Sequence, residues 1–267
     1  MSINHWVKGE VAILEINDPD AMNTLTPDCL LQLRSALISH QDNPEVRVII
    51  LTGAGRKAFC SGANLKKTFP PERGFARNLL ISREAEAADG GYTRLLDLSD
   101  LQIWKPIIAA VNGYCLGGGL ELALQCDLRV ASSTATFALP EVKVASVPAV
   151  GGVQALLRAI PAAHAMKLAL TGDRISAADA LNVGLISDVY EPEALMDGAL
   201  EIAERISRNG PLAVQMVKKL AVETAHLAPA DYIAQSNTAW GLLRDSTDRI
   251  EGRTAFGEKR KPHYTGN

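Results

Sequence analysis

The stretch Asn112–Val130, NGYCLGGGLELALQCDLRV, sets three glycines between a strand-like run and a helix-like run, with an acid two residues later. The run IIAAVNG reads as a buried strand, and LELALQCDL as a helix that follows the Gly117-Gly118-Gly119 turn almost at once. Glycines at such a junction let backbone N–H groups come close to a ligand. The helix start adds unpaired N–H groups and the positive end of the helix dipole. Together these suit an oxyanion that develops during a reaction. Glu121, on the first turn, is within reach of whatever those groups hold. The same residues also fit a tight helix–sheet packing turn in which Glu121 merely favours the helix dipole, and the motif alone leaves both readings open.

The rest of the chain reads as an α/β protein with a helical end. HWVKGEVAILEIND alternates and is rich in Val and Ile, so it predicts strands ending at Asp18-Pro19. TPDCLLQLRSALISHQ predicts a helix, with Thr26 as N-cap, Pro27 at the first position, and Leu30, Leu33 and Leu37 at helical spacing. EVRVIILTGAG is a compact apolar strand closed by glycines. The order β-α-β predicts parallel pairing through a helical crossover. CDLRVAS reads as a further strand, and YTRLLDLSDLQIW as an amphipathic helix. After position 150, GGVQALLRAIPAAHAMKLALTG reads as helical and starts and stops on glycine. SAADALNVGL has a serine cap. EPEALMDGALEIAERISRNG, PLAVQMVKKLAVETA and the stretches 230–243 and 246–257 are also helical in pattern. The expected division is a core of residues 1–200 followed by a helical region of residues 201–267.

Composition closes off several classes of function. A net charge of −3 on 267 residues, with no basic stripe, argues against nucleic acid as a partner. The longest apolar runs are far short of a membrane span. The N-terminus has neither a signal-peptide nor a transit-peptide pattern, so a cytoplasmic protein is expected. The four cysteines, Cys29, Cys60, Cys115 and Cys126, form no CxxC, and the five histidines form no HExxH. No metal site is expected, and the cysteines read as small buried apolar residues in a reduced protein. No GxSxG occurs, which disfavours a nucleophilic hydrolase.

A second donor and a second acid are in view. RKAFCSGANLKK follows the strand RVIILTG and holds Gly62-Ala63 ahead of what reads as another helix start. Two backbone donors from separate turns would make a two-pronged oxyanion hole. Glu141, in FALPEVKVASVPAVGGV, follows Pro140 within an apolar run twenty residues after Glu121. By composition alone it is either a solvated loop acid or a partner of Glu121.

These residues, in this order, resemble the crotonase, or enoyl-CoA hydratase/isomerase, superfamily. The resemblance rests on VRVIILTGAGRKAFCSGANL, KPIIAAVNGYCLGGGLELALQCDLRVASSTATFALPEVKVASVPAVGGVQALLRAI, LTGDRISAADALNVGLISDVY and EGRTAFGEKRKP, and covers nearly the whole chain. It implies an α/β fold of β-β-α turns wound into a spiral, with a C-terminal helical region used for trimerisation, and a homotrimer or hexamer. It implies acyl-CoA thioester substrates and an enolate held by the N–H groups of Ala63 and Gly118. Both acid/base positions are glutamate, the pattern of the hydratases. By resemblance, Glu121 orients or deprotonates the water that attacks the β-carbon, and Glu141 exchanges the proton at the α-carbon. CoA enters as part of the substrate, and no separate cofactor is implied.

The binding residues carry over in the same way. Ala21 and Met22 match a backbone segment that runs along CoA. Lys57 and Lys66 match cations near its phosphates. Ala58, Gly62, Asn64, Leu65, Leu116, Gly117 and Pro140 flank the thioester and acyl group. Phe256 and Lys259 match residues that reach the adenine end from a neighbouring subunit. The chain departs from the family where Asn64 stands for the usual Asp, which removes a charge near the thioester. Residues 67–100 lie where the family shapes its acyl pocket and varies most. The pieces FALPEVK and IEGRTAFGEKRKP are similar to the carnitinyl-CoA dehydratase branch. The resemblance therefore implies an enoyl-CoA hydratase. Isomerases, specialised acyl-CoA dehydratases and C–C bond lyases on the same scaffold are the alternatives, and a non-catalytic RNA-binding homologue is disfavoured by the mild acidity.

Overall fold

The computed structural model describes residues 2–64, 80–89 and 91–267. In chain order the elements are β1 (Ser2–Lys8), β2 (Val11–Asn17), α1 (Pro27–Asp42), β3 (Val48–Gly53), β4 (Ala58–Cys60), α2 (Arg83–Ala88), α3 (Thr93–Leu96), β5 (Ile107–Val111), β6 (Tyr114–Leu116) and α4 (Gly118–Leu124). There follow β7 (Leu128–Ser132), β8 (Thr136–Ala138), α5 (Gly152–Ala159), α6 (Ala162–Thr171), β9 (Ile175–Ser176), α7 (Ala177–Asn182), β10 (Asp188–Tyr190), α8 (Leu195–Ser207), α9 (Pro211–Glu223), α10 (Pro229–Arg244) and α11 (Thr247–Gly257).

The strands build two sheets. Six lie in the order β1-β2-β3-β5-β7-β10 and four in the order β4-β6-β8-β9. Pairing is parallel except for the β1–β2 hairpin and the β8–β9 edge. The expected parallel crossover is present: β2 and β3 flank α1 in the chain and pair parallel, Val11 opposite Val48. Strands β3, β5 and β7 each hand the chain to a short strand of the other sheet, β4, β6 and β8, before it returns. This alternation is the β-β-α spiral the sequence resemblance implies. VIILTG of β3 and IIAAV of β5 are buried at every position, as central strands covered on both faces must be.

Local chemistry explains the helix boundaries. Thr26 caps α1 by accepting from the Cys29 N–H at 3.3 Å, with Pro27 at the first position. Ser176 and Asp179 form a full capping box on α7. Gly172 closes α6 in the left-handed region, φ 64°. The stretch from Gly151 to Gly172, read as helical, holds two helices, because Ile160 before Pro161 is extended, φ −137° and ψ 162°. YTRLLDLSDLQIW is helical only over Thr93–Leu96, with a 3-10 turn at Ser99–Leu101. Asp97 Oδ1 accepts from the Ser99 N–H at 3.0 Å, a local turn that competes with the helix.

The core between the sheets and helices takes in Leu14, Leu30, Leu33, Leu37, Phe59, Phe137 and Leu139. All four cysteines are free thiols within the apolar interior, and burial pushes Cys29, Cys60 and Cys126 up to about 12. Helix α8 straddles position 200 and lays Leu195, Ala199, Leu200 and Ala203 on the outer face of the six-stranded sheet. Among the described residues no helix is long and apolar enough to cross a membrane.

Candidate active site

The glycine-rich turn lies where the two sheets meet the start of α4. Gly117 caps that helix with φ 56° and ψ −125°, a conformation only glycine adopts without strain. Gly119 packs so closely on β4 that a Cβ there would lie 2.1 Å from the Cys60 carbonyl oxygen. The turn packs helix on strand, and it brings Gly118 beside the loop after β4. That loop turns at Gly62, φ 91°, and a Cβ on Gly62 would lie 3.3 Å from the Gly118 nitrogen. Ala63 is fixed by a parallel bridge to Leu25, in which the Leu25 N–H donates to Gly62 O at 2.7 Å and the Asn64 N–H to Leu25 O at 2.9 Å. Among the described residues, the N–H groups of Ala63 and Gly118 have no protein acceptor. These two donors therefore sit on adjacent turns, neither engaged by a described residue.

Glu121 follows on the first turn of α4 and is only 4% exposed. Its Oε1 accepts from the Val150 N–H at 2.8 Å and the Gly152 N–H at 3.0 Å. Burial raises its pKa, and these two donors pull it back. Glu141 projects from a 3-10 turn, Pro140–Val144. Its Oε1 lies 3.0 Å from where a Gly117 Cβ would be, with Pro140 Cδ at 3.9 Å from the same point. Its Oε2 is buried without a hydrogen-bond partner among the described residues. Burial raises the Glu141 pKa, and the charge of Glu121 raises it further. Glu141 is thus not a solvated loop acid: the two carboxylates are electrostatic neighbours, and both flank the turn that carries Gly118.

The other sequence candidates divide into three groups. Ala21 and Met22 are brought to the donor loop, because Met22 O accepts from both the Ser61 N–H at 3.2 Å and the Ser61 hydroxyl at 3.0 Å. Ala58 and Leu116 are buried in the short strands that lead into the two turns, Lys57 is exposed beside them, and Asn64 Nδ2 donates to Thr24 Oγ1 at 3.2 Å. Phe256 and Lys259 lie apart, at the end of α11, with the Phe256 ring 88% exposed. Leu65 and Lys66 lie outside the described residues, as does the helix start read after Asn64.

Three site residues escape a reading of motifs. Val150 and Gly152 hold Glu121 through backbone N–H groups, and only the Gly151-Gly152 pair hints at them. Tyr92 is half-buried and feels the charge of both Glu121 and Glu141, which together with burial raises its pKa. Its signal is weak: an aromatic after Gly90-Gly91 in a stretch with little periodicity. Among the described residues no group of three or more His, Cys, Asp and Glu side chains is placed to hold a metal ion.

Comparison with known proteins agrees with this geometry. A family model, enoyl-CoA hydratase/isomerase, matches residues 7–267. The (E)-benzylidenesuccinyl-CoA hydratase of Thauera aromatica is 46% identical over 266 residues, covering 100% of both chains. The crotonyl-CoA hydratase of Syntrophomonas wolfei is 39% identical, covering 96% of this chain and 94% of its own. A crystal structure of an enoyl-CoA hydratase from Bacillus anthracis superposes with a TM-score of 0.88 at 34% identity, covering 99% of each chain. The two-sheet spiral with its paired donors is the crotonase fold. The chain belongs to the enoyl-CoA hydratase/isomerase family.

Proposed function

We propose that this protein catalyses the reversible syn addition of water to a 2-enoyl-CoA. The observation that carries the reading is the pairing of a buried and a half-buried glutamate, Glu121 and Glu141, with two unpartnered backbone donors on adjacent turns. The thioester oxygen of the substrate accepts from Ala63 N–H and Gly118 N–H. Water oxygen attacks the β-carbon, the double-bond electrons move to the α-carbon and on to the thioester oxygen, and the enolate charge grows where those two donors point. Loss of one such donor costs about 3 kcal/mol in the barrier.

The two acids divide the proton work by their surroundings. Burial raises the Glu121 pKa, but the two backbone N–H bonds at one oxygen pull it back and its charge acts on Glu141, so of the two it is the acid that ionises first and suits the base that takes the water proton. Glu141 has a buried, unpartnered oxygen and a negative neighbour, which favours its protonated form and suits delivery of a proton to the α-carbon. The charge of Glu121 opposes ionisation of Glu141, so a single proton on the two acids is the working state.

Ala21, Met22, Lys57, Ala58, Gly62, Asn64, Leu65, Lys66, Leu116, Gly117 and Pro140 are assigned to the acyl-CoA path. Phe256 and Lys259 are assigned to CoA bound at a neighbouring subunit, which fits the exposure of the Phe256 ring. The protein is read as a homotrimer or a pair of trimers, with residues 201–267 as the associating region. Trp240 is 61% and Leu242 69% exposed on α10, more than a lone protomer leaves to water without cause.

The test follows loss of enoyl-thioester absorbance on crotonyl-CoA and on (E)-benzylidenesuccinyl-CoA, with a 3-enoyl-CoA beside them. Hydration of either 2-enoyl substrate, abolished by Glu121→Gln, is the expected result. Turnover of the 3-enoyl-CoA alone would replace the reading with that of an isomerase. Light scattering after size-exclusion chromatography decides the oligomer.

A further inference from the structure

The segment that carries Tyr92 lies against the same turn. The Leu96 N–H donates to Tyr92 O at 3.0 Å, which holds Tyr92 one turn before Leu96, at the N-cap of α3. Leu96 Cδ2 lies 3.1 Å from where a Gly118 Cβ would be, so this segment packs at the free donor of α4. The segment is clamped there. Gln125 Nε2 donates to Leu96 O at 3.0 Å and to Glu121 O at 3.2 Å, and Gln125 Oε1 accepts from the Leu98 N–H at 2.8 Å. Arg34, itself buried, donates to Asp97 O at 2.6 Å. The Tyr92 hydroxyl makes no hydrogen bond with any described residue, although the side chain is half-buried and both catalytic carboxylates act on it. Beside two acids a phenol stays neutral, so it is an O–H donor at any working pH.

A water between two acids has one need they do not meet. It gives one proton to the ionised Glu121 and uses one lone pair to attack; the proton of Glu141 is committed to the α-carbon, so the second lone pair of the water lacks a donor. The N–H groups of Val150 and Gly152 are engaged by Glu121, and those of Ala63 and Gly118 face the thioester. We propose that Tyr92 is a third substrate-contacting residue, whose hydroxyl donates to the oxygen at the β-carbon: the water before attack, and the product hydroxyl after it. This rests on the hydratase reading above.

The test compares Tyr92→Phe with the wild type by calorimetric binding of two unreactive ligands. Acetoacetyl-CoA carries an acceptor oxygen on its β-carbon and butyryl-CoA carries none. The variant gives up no hydrogen bond within the described protein, so folding is expected to hold. Loss of one neutral hydrogen bond should weaken acetoacetyl-CoA about five- to tenfold and leave butyryl-CoA unchanged. On crotonyl-CoA, kcat should fall by a similar factor with KM within about twofold. Equal weakening of both ligands, or of neither, overturns the proposal. Binding is read without turnover, so the two readings fail separately. Selective loss of acetoacetyl-CoA binding in a protein that hydrates nothing keeps the Tyr92 contact and removes the reaction. Hydration with unchanged ligand preference keeps the reaction and removes the contact.

Discussion

Glu141 and Gly117 are in direct contact, the carboxylate Oε1 lying 3.0 Å from where a Gly117 Cβ would stand. One glycine thereby serves two parts of the site. It forms the left-handed cap that starts α4 and frees the Gly118 N–H, and it leaves room for the second acid. Gly117→Ala should strain the backbone by about 1–3 kcal/mol and push Glu141 aside. The expected result is a kcat on a 2-enoyl-CoA at least about tenfold lower, with a lower melting temperature. Wild-type kcat in a folded Gly117→Ala protein would show that Glu141 does not depend on this contact.

Gly62 makes a separate prediction about the donors. Its φ of 91° excludes other residues without strain, and a Cβ would come within 3.0 Å of Leu116 O and 3.3 Å of Gly118 N. Gly62→Ala should spread the Ala63 and Gly118 donors or block the space between them. Loss of one donor corresponds to roughly 10²–10³ in kcat. Steady-state kinetics alongside calorimetric binding of butyryl-CoA check this. A defect confined to binding would mean that Gly62 shapes the acyl-CoA path without setting the spacing of the two donors.

The glutamates are tested by charge removal. Glu121→Gln keeps an oxygen for the Val150 and Gly152 N–H groups but cannot take a proton from water. Glu141→Gln cannot give a proton to the α-carbon. Each should lower turnover by at least about 10² while CoA binding is largely kept. If either variant turns over near the wild-type rate, that residue loses its assigned role.

Sequence and structure converge where chemistry is local in the chain. The strand–glycine–helix junction, the Thr26 and Ser176 caps and the apolar runs of β3 and β5 are legible because each depends on neighbours a few residues apart. So is the candidate pair Glu121 and Glu141, once the resemblance joins them across twenty residues. The contacts that complete the site are not local. Glu121 is held by N–H groups of Val150 and Gly152, about thirty residues on, and backbone donors leave no mark in a side-chain pattern. Tyr92 lies in a stretch whose helix breaks at Asp97, so periodicity says little there. Arg34 reads as a charge on a helix, yet it is buried and donates to carbonyls more than sixty residues away.

Both glutamates also make a stability prediction, with a definite sign. Their folded-state pKa values are raised, first by burial, so the fold favours the neutral acids. For an acid raised in this way, the stabilising share is complete below the unfolded value, about 4.3, and is lost as pH rises through the folded value. Above the folded-state values, the protein carries the cost of holding charge in the site. Glu141→Gln removes that cost at every pH, and Oε2 has no partner among the described residues to lose. The variant should therefore melt higher than the wild type at pH 8, by roughly 2–4 °C for each kcal/mol relieved. The gap should narrow as pH falls through the folded-state value, where the wild-type acid takes up its proton. Melting curves at pH 5, 6.5 and 8 read this directly. A gap that widens toward acid would mean that Glu141 is stabilised as the carboxylate, and would reverse its assignment as the proton donor.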